Sequence, residues 1–211
     1  MTLQRGMEGG LDTWLRSKLL PSLAELNGQF IDLLILQAVA HPTAGDHPLP
    51  AELLPLLLDL DPGARRRVAA CPYLLMDAGF ADPQRWLWAH GYAVRDAQPM
   101  LRAPIAGVPQ GVALARHVFA FAWHLASAHR NTASMLLGMS ATTAQILSGY
   151  TVVQTVSLAE TYPHWLQPRW PRHVRMWSEL LKAAVRGESA SLERARLRGV
   201  QLMATERRSS A

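Results

Sequence analysis

Cysteine is almost absent from the 211-residue sequence, in which Cys71 is the only example. A single cysteine excludes an internal disulfide and any cysteine-rich zinc site. The first residues, MTLQRGMEGGLDTW, lack the basic region and apolar stretch of a signal peptide. The longest apolar run, FIDLLILQAVA, is interrupted by Asp32 and falls well short of the roughly 20 residues that a bilayer crossing needs. We therefore expect a soluble, cytoplasmic protein that does not associate with a membrane.

The sequence also lacks the short motifs of common catalytic and cofactor sites. It has no phosphate-binding loop, dinucleotide fingerprint, nucleophile elbow or HExxH motif. His117 and His124 are two helical turns apart, about 10 Å along a helix axis, which is too far to hold one metal ion. Cys71 has no histidine nearby in the sequence and is best interpreted as a small buried residue. We expect no enzymatic activity, no metal site and no cofactor.

Positive charge is concentrated in the last quarter of the chain. Residues 1–160 contain 11 Lys or Arg and 12 Asp or Glu, a net charge of −1, whereas residues 161–211 contain 10 and 4, a net charge of +6. This asymmetry is typical of proteins that bind an acidic partner, such as nucleic acid or an anionic membrane face, although basic segments also serve solubility alone.

Apolar residues recur at spacings of three and four along most of the chain. The spacing predicts helices near 22–40, 112–129, 141–148, 151–161 and 171–186, and no sheet of three or more strands. Asp61 and Asp82 each precede a proline, which is typical of an N-cap followed by proline in the first helical turn. The fold class predicted from these patterns is all-α, a multi-helix bundle with a helix-turn-helix-like element in the C-terminal half.

The distribution of proline, glycine and charge predicts four parts of the chain. They are an N-terminal helical unit at 1–91, a linker at 92–111 with little periodicity, a helical core at 112–187, and a basic C-terminal tail at 188–211.

The helix-turn-helix-like element is predicted around Gly138, a residue suited to a left-handed turn. Ser140 then serves as the N-cap of a second helix, ATTAQIL. Thr142 and Gln145 are its early exposed residues and the candidate contacts to DNA base edges. No lysine or arginine lies between Asn131 and Pro168, although phosphate contacts dominate DNA affinity. A tight helical corner without a nucleic-acid role is therefore the alternative.

A capping box begins the next helix. In Thr151-Val-Val-Gln154, the threonine hydroxyl accepts from the Gln154 amide, and the Gln154 side chain accepts from the Thr151 amide. The capping box predicts structure only.

The candidate phosphate contacts lie further along the chain, where basic residues alternate with tryptophans. They are Arg169, Arg172, Arg175, Lys182 and Arg186. For the arginines, a merely solvated face remains an equal alternative. For Trp165, Trp170 and Trp177, packing of the C-terminal helix against the helix that begins near Val112 is the favoured interpretation.

The segment NTASMLLGMSATTAQILSGYTVVQTVSLAET, residues 131–161, resembles the central region of FlhD, a subunit of the bacterial flagellar transcriptional activator. The matching positions are Ala133, Ser134, Met135, Gly138, Thr151, Gln154, Leu158, Ala159, Glu160 and Thr161. Pro163 and its neighbours stand where family members often carry a cysteine. The resemblance implies a FlhD-like core at 112–187 and a helical homodimer that regulates bacterial transcription by binding DNA, a regulatory protein partner, or both.

This regulator is the expected function. The alternative is a non-catalytic helical protein-interaction module, an accessory of a secretion or motility system, that does not bind DNA.

Overall fold

The computed structural model describes residues 15–40, 47–92 and 109–209, and these are helical almost throughout. We number the α-helices in chain order. They are α1 (Leu20–Ala40), α2 (Leu54–Leu58), α3 (Pro62–Ala69), α4 (Pro83–Tyr92), α5 (Pro109–Ala128), α6 (Arg130–Leu137), α7 (Ala141–Ser148), α8 (Val152–Thr161), α9 (Val174–Arg186) and α10 (Ser189–Ser209). A π-helical turn, Leu15–Leu19, precedes α1, and 3-10 turns occupy Ala51–Leu53 and Pro163–Trp165. The all-α prediction is confirmed.

Two short strands are the extended elements of the described ranges. Strand β1 (Met76–Asp77) pairs antiparallel with β2 (Gln167–Pro168), with Met76 opposite Pro168. Within residues 15–40, 47–92 and 109–209, this two-stranded ribbon is the whole sheet structure, as expected from the helical spacing. The ribbon joins the region after α3 to the connection that leads into α9.

The helix ends follow the local signals in the sequence. The Asp61 Oδ1 atom accepts from the Ala64 amide at 2.6 Å at the start of α3, with Pro62 in the first turn. The Asp82 Oδ1 atom accepts from the Gln84 amide at 3.0 Å at the start of α4. Helices α6 and α9 end at Gly138 and Gly187, which are left-handed with φ values of 65° and 70°, a conformation that glycine adopts without a Cβ penalty.

The helices enclose one continuous hydrophobic core. Helix α1 packs against α3 and α5, α5 packs against α7 and α8, and α9 packs against α3 and α10. Side chains from both sides of the predicted linker therefore share one interior, in which Trp86, Phe119 and Trp177 are fully buried. The linker was predicted at 92–111, but α4 extends to Tyr92 and α5 begins at Pro109. Residues 93–108 lie outside the described residues.

The structure corrects the predicted basic tail at 188–211. Residues Ser189–Ser209 form α10, which packs along α9 and buries Leu192, Ala195 and Met203. Glu193 and Arg194 are exposed, whereas Leu192, Ala195, Gly199 and Met203, spaced by three and four positions, form a buried stripe against the core.

Helix α1 belongs to a helical stretch, Ser17–Ala40, that is long enough and apolar enough to cross a membrane. This stretch is longer than the apolar run counted in the sequence. Its Phe30, Ile31 and Leu34 are buried in the core, and core helices of soluble proteins pass the same length test. The cytoplasmic location stays a prediction.

The capping box at the start of α8 is present as predicted. The Thr151 Oγ1 atom accepts from the Gln154 amide at 3.2 Å, and Gln154 Oε1 accepts from the Thr151 amide at 2.8 Å. Thr151→Ala is expected to lower the free energy of unfolding by about 1 kcal/mol, because one amide of the first turn loses its acceptor. Chemical denaturation measures the change. Thr142→Ala, which alters an exposed threonine inside the first turn of α7, is the control; an equal effect of both substitutions contradicts the assignment.

Candidate nucleic-acid interface

The turn between α6 and α7 has the predicted local pattern. The Gly138 amide donates to the Ser134 carbonyl at 3.1 Å, and Met139 is buried. Ser140 Oγ accepts from the Thr143 amide at 3.0 Å and so caps α7. Together these contacts make a compact corner between two helices, as both interpretations of the sequence required.

Helix α7 buries one face and presents the other to solvent. Thr143, Ala144 and Leu147 are buried, and the helix packs against α4, α5 and α6. Thr142 and Gln145 lie on the exposed face. These two side chains are accessible to a partner, and their contact with DNA bases stays a prediction.

Arg169 is not on the surface, and its predicted contact with DNA phosphates needs correction. Its side chain is only 4 % exposed. The Nε atom donates to the Leu74 carbonyl at 3.0 Å, and Nη2 donates to the Leu137 carbonyl at 2.6 Å and the Met76 carbonyl at 3.4 Å. The Arg169 amide also donates to the Leu75 carbonyl at 2.8 Å, which holds this residue against the segment that leads into β1. In the folded protein, the guanidinium therefore serves the interior rather than a phosphate.

Two carboxylates also lie near the Arg169 guanidinium. Asp77 Oδ1 lies 3.5 Å from Nη2, and Glu206 Oε2 lies 3.8 Å from Nη1. Leu137 is the last residue of α6, and Glu206 belongs to α10. Arg169 thus ties the end of α6, the β1 strand and the end of α10 to one another.

The tryptophans are packing residues, as favoured from the sequence. The predicted packing of the C-terminal helix against α5 is corrected, because α9 packs mainly against α2, α3 and α10. Trp165, Trp170 and Trp177 are all buried. The Trp177 indole N–H donates to the Arg169 carbonyl at 2.9 Å, and that of Trp170 donates to Glu206 at 2.7 Å. Trp170 also has a φ of 50°, which is uncommon for a bulky residue.

The remaining predicted phosphate contacts are exposed on or just before α9. They are Arg172, Arg175, Lys182 and Arg186. Two have carboxylate partners, since Arg175 Nε lies 2.9 Å from Glu179 Oε1 and Arg186 Nη1 lies 3.8 Å from Glu188 Oε1.

Arg172 and Lys182 differ from these two in having no carboxylate of the described residues within 4.0 Å. Their charges are therefore available to a ligand.

The structure places two further arginines, which sequence reasoning did not single out, beside the cations of α9. Arg194 and Arg198, both on α10, line a cavity of about 310 Å³ with Lys182 and Arg186 of α9. Each pair is spaced by four residues, so its members lie on one face of a helix. This signal is visible in the sequence once residues 189–209 are recognised as a helix rather than a tail.

Glu179 is the carboxylate most closely bound to these cations. It accepts from Arg175 Nε at 2.9 Å and from Arg198 Nη1. The hydrogen bonds from Arg198 and Arg175 lower the pKa of the Glu179 carboxyl, so that this group is ionised at neutral pH and compensates part of the positive charge.

The predicted base contacts and phosphate contacts belong to two different groups of packed helices. Helix α7 packs with α4, α5 and α6, whereas α9 packs with α2, α3 and α10. The hydrogen bond of 2.6 Å from Arg169 Nη2 to the Leu137 carbonyl is one of the contacts between these groups. Thr142 and Gln145 lie on α7, directly after the corner between α6 and α7. Lys182 and Arg186 lie in the C-terminal part of α9, whereas Arg169 precedes the start of that helix.

The structure also gives the surroundings of the histidine and cysteine residues considered as metal ligands or nucleophiles. His117 Nδ1 lies 3.1 Å from Gln29 Oε1. In the described parts of the chain, no group of three or more His, Cys, Asp or Glu residues is arranged to hold a metal ion. Burial raises the pKa of the Cys71 thiol to about 11, which favours the protonated thiol at neutral pH.

No protein-family model, curated protein or solved structure matches the chain. The resemblance of residues 131–161 to the FlhD family therefore rests on the matching residues alone.

Proposed function

We propose that this protein is a DNA-binding regulator of transcription, similar to FlhD, which acts as a homodimer and contacts the phosphate backbone through one basic surface. This α9–α10 surface consists of Arg172, Arg175, Lys182, Arg186, Arg194 and Arg198. The observation that carries this proposal is the excess of positive charge on these two helices and on the residues just before α9. Residues 172–205 contain seven Lys or Arg and three Glu, a net charge of +4.

The arrangement of these charges favours a polyanion as the partner. Arg172 and Lys182 lie some ten residues apart along the chain, and both are exposed without a carboxylate of the described residues beside them. A row of such cations releases counterions from DNA when it binds, and this release supplies most of the affinity of sequence-independent binding. A single small anion would use only part of the row.

Base contacts are assigned to the exposed face of α7. Gln145 has an amide that pairs with adenine in the major groove, and Thr142 has a short hydroxyl suited to several bases. The Ser140 cap and the Gly138 turn fix the start of this helix against α6. The DNA would then contact the corner with its bases and the α9–α10 surface with its backbone.

The phosphate contacts are tested with Arg172→Ala/Arg175→Ala, which removes two exposed cations. We expect weaker binding to all DNA sequences alike and a loss of about two units of salt-dependence slope, because two phosphate contacts are lost. Fluorescence anisotropy over a salt series measures both quantities. Lys18→Ala/Arg130→Ala, which removes two exposed cations outside α9 and α10, is the matched control.

In the same assay, Gln145→Ala is expected to change the preference among sequences while keeping the salt slope. Equal DNA binding by the parent and the Arg172→Ala/Arg175→Ala variant contradicts the proposal.

A second candidate function is the helical protein-interaction module. Val152 and Val153 at the start of α8 are 57 % and 74 % exposed, and adjacent exposed apolar side chains are typical of protein contacts. This function replaces the first if the purified parent binds no fragment of a genomic DNA library.

A further inference from the structure

The cavity between α9 and α10 has a marked excess of positive charge. Four cations line it, together with two carboxylates. The cations are Lys182, Arg186, Arg194 and Arg198, and the carboxylates are Glu179 and Glu188. The net charge of the lining is therefore +2.

The chain builds this cavity from two helical faces. Gly187 takes a left-handed conformation with φ 70° at the end of α9, and the chain returns along α9 as α10. Residues four apart in a helix are about 6 Å apart along its axis. Lys182 with Arg186 on α9, and Arg194 with Arg198 on α10, thus form two short rows of cations on opposite walls.

Both carboxylates of the cavity are bound by neighbouring side chains. Glu179 holds Arg175 and Arg198. Glu188 lies 3.8 Å from Arg186 and accepts from the Ser191 hydroxyl at 2.9 Å. Neither carboxylate lies within 4.0 Å of the side-chain nitrogens of Lys182 or Arg194.

Lys182 and Arg194 are the cations left for a ligand. Arg194 Nη2 donates to Ser191 Oγ at 2.8 Å, a neutral acceptor that leaves the charge of the arginine uncompensated. The remaining guanidinium N–H groups match the oxygens of a phosphate, and a lysine ammonium adds a flexible point charge. Two phosphodiester groups carry two negative charges. Their charge therefore balances the net charge of +2 of the cavity lining.

From this arrangement we propose that the cavity is a phosphate-binding site that holds consecutive phosphates of one nucleic-acid strand, with Lys182 and Arg194 as the principal contacts. This inference rests on the proposed DNA-binding function and adds a defined site to it. Glu188 competes with the ligand for Arg186, so it weakens binding.

The test compares three variants of the full chain with the parent. Lys182→Ala/Arg194→Ala removes the two available cations, both exposed, and Glu188→Gln removes a competing charge while retaining an acceptor for Ser191. Lys18→Ala/Arg130→Ala is the control. Anisotropy with a duplex DNA and calorimetry with inorganic pyrophosphate are the measurements, and thermal melting checks that each variant is folded.

We expect Lys182→Ala/Arg194→Ala to bind the duplex about tenfold more weakly, with a salt slope reduced by about two units. Glu188→Gln is expected to bind about threefold more tightly, because one repulsive surface charge is lost. Pyrophosphate is expected to compete with the duplex on the parent.

Two results overturn the inference in different ways. If Lys182→Ala/Arg194→Ala binds the duplex like the parent while Arg172→Ala/Arg175→Ala binds weakly, the DNA-binding function stands and the cavity is not its phosphate site. If the parent binds pyrophosphate through Lys182 and Arg194 but binds no duplex, the site serves a free phosphate compound, and both the nucleic-acid ligand and the proposed function are wrong.

Discussion

Replacing Arg169 with alanine is expected to lower the free energy of unfolding by about 3–5 kcal/mol. The side chain donates to three main-chain carbonyls, those of Leu74, Met76 and Leu137. Alanine leaves these carbonyls without their donor, and a buried acceptor without a partner costs about 1–3 kcal/mol. The substitution also removes the cation beside Asp77 and leaves a cavity in the core, both of which add to the loss.

Urea denaturation of Arg169→Ala and Arg172→Ala measures this effect with a matched control. Arg172 is nearby in the chain but exposed, so its substitution is expected to change stability by less than about 0.5 kcal/mol. Arg169→Met, which fills the space without donating hydrogen bonds, separates the packing contribution from the polar one. If Arg169→Ala and Arg172→Ala unfold alike, the buried role assigned to Arg169 is wrong.

Gly199→Ala is expected to destabilise the protein by about 3 kcal/mol, although alanine is the better helix former. A Cβ at this position of α10 overlaps the Oη and Cζ atoms of Tyr73 and lies 2.7 Å from Cε1. The ring cannot move into solvent, because Tyr73 is fully buried and packs edge-on against Trp170 with centroids 5.6 Å apart. The clash therefore separates α10 from the core or forces Tyr73 to repack.

Gly28→Ala is the matched control, because Gly28 also lies within a helix. A Cβ there meets Ala69 Cβ at 3.9 Å, an ordinary contact. It is expected to gain about 0.4–1 kcal/mol from the reduced entropy of the unfolded chain. Thermal melting shows whether each substitution raises or lowers the melting temperature. A higher melting temperature for both variants contradicts the packing of α10 on Tyr73.

Local features of this fold follow from the sequence. The Gly138 turn, the Ser140 cap and the Thr151 capping box each depend on residues within a few positions of one another. Their hydrogen bonds form as soon as the helix does, so their patterns are sufficient to predict them.

Long-range features do not follow in the same way. The Arg169 side chain bonds to Leu74, which is 95 positions away, and to Leu137, 32 positions away. In the sequence, an arginine beside tryptophans and prolines resembles a surface cation. Helix α10 was missed for a related reason, since its many arginines obscure the apolar stripe that contains Leu192 and Met203.

Purified parent protein titrated onto duplex fragments of a genomic library, between about 50 and 200 mM salt, tests the central proposal most directly. If the α9–α10 surface contacts the backbone through about four cations, the affinity is expected to fall about a hundredfold over this range. Binding of no fragment, or an affinity that does not change with salt, contradicts a regulator that holds DNA through this surface.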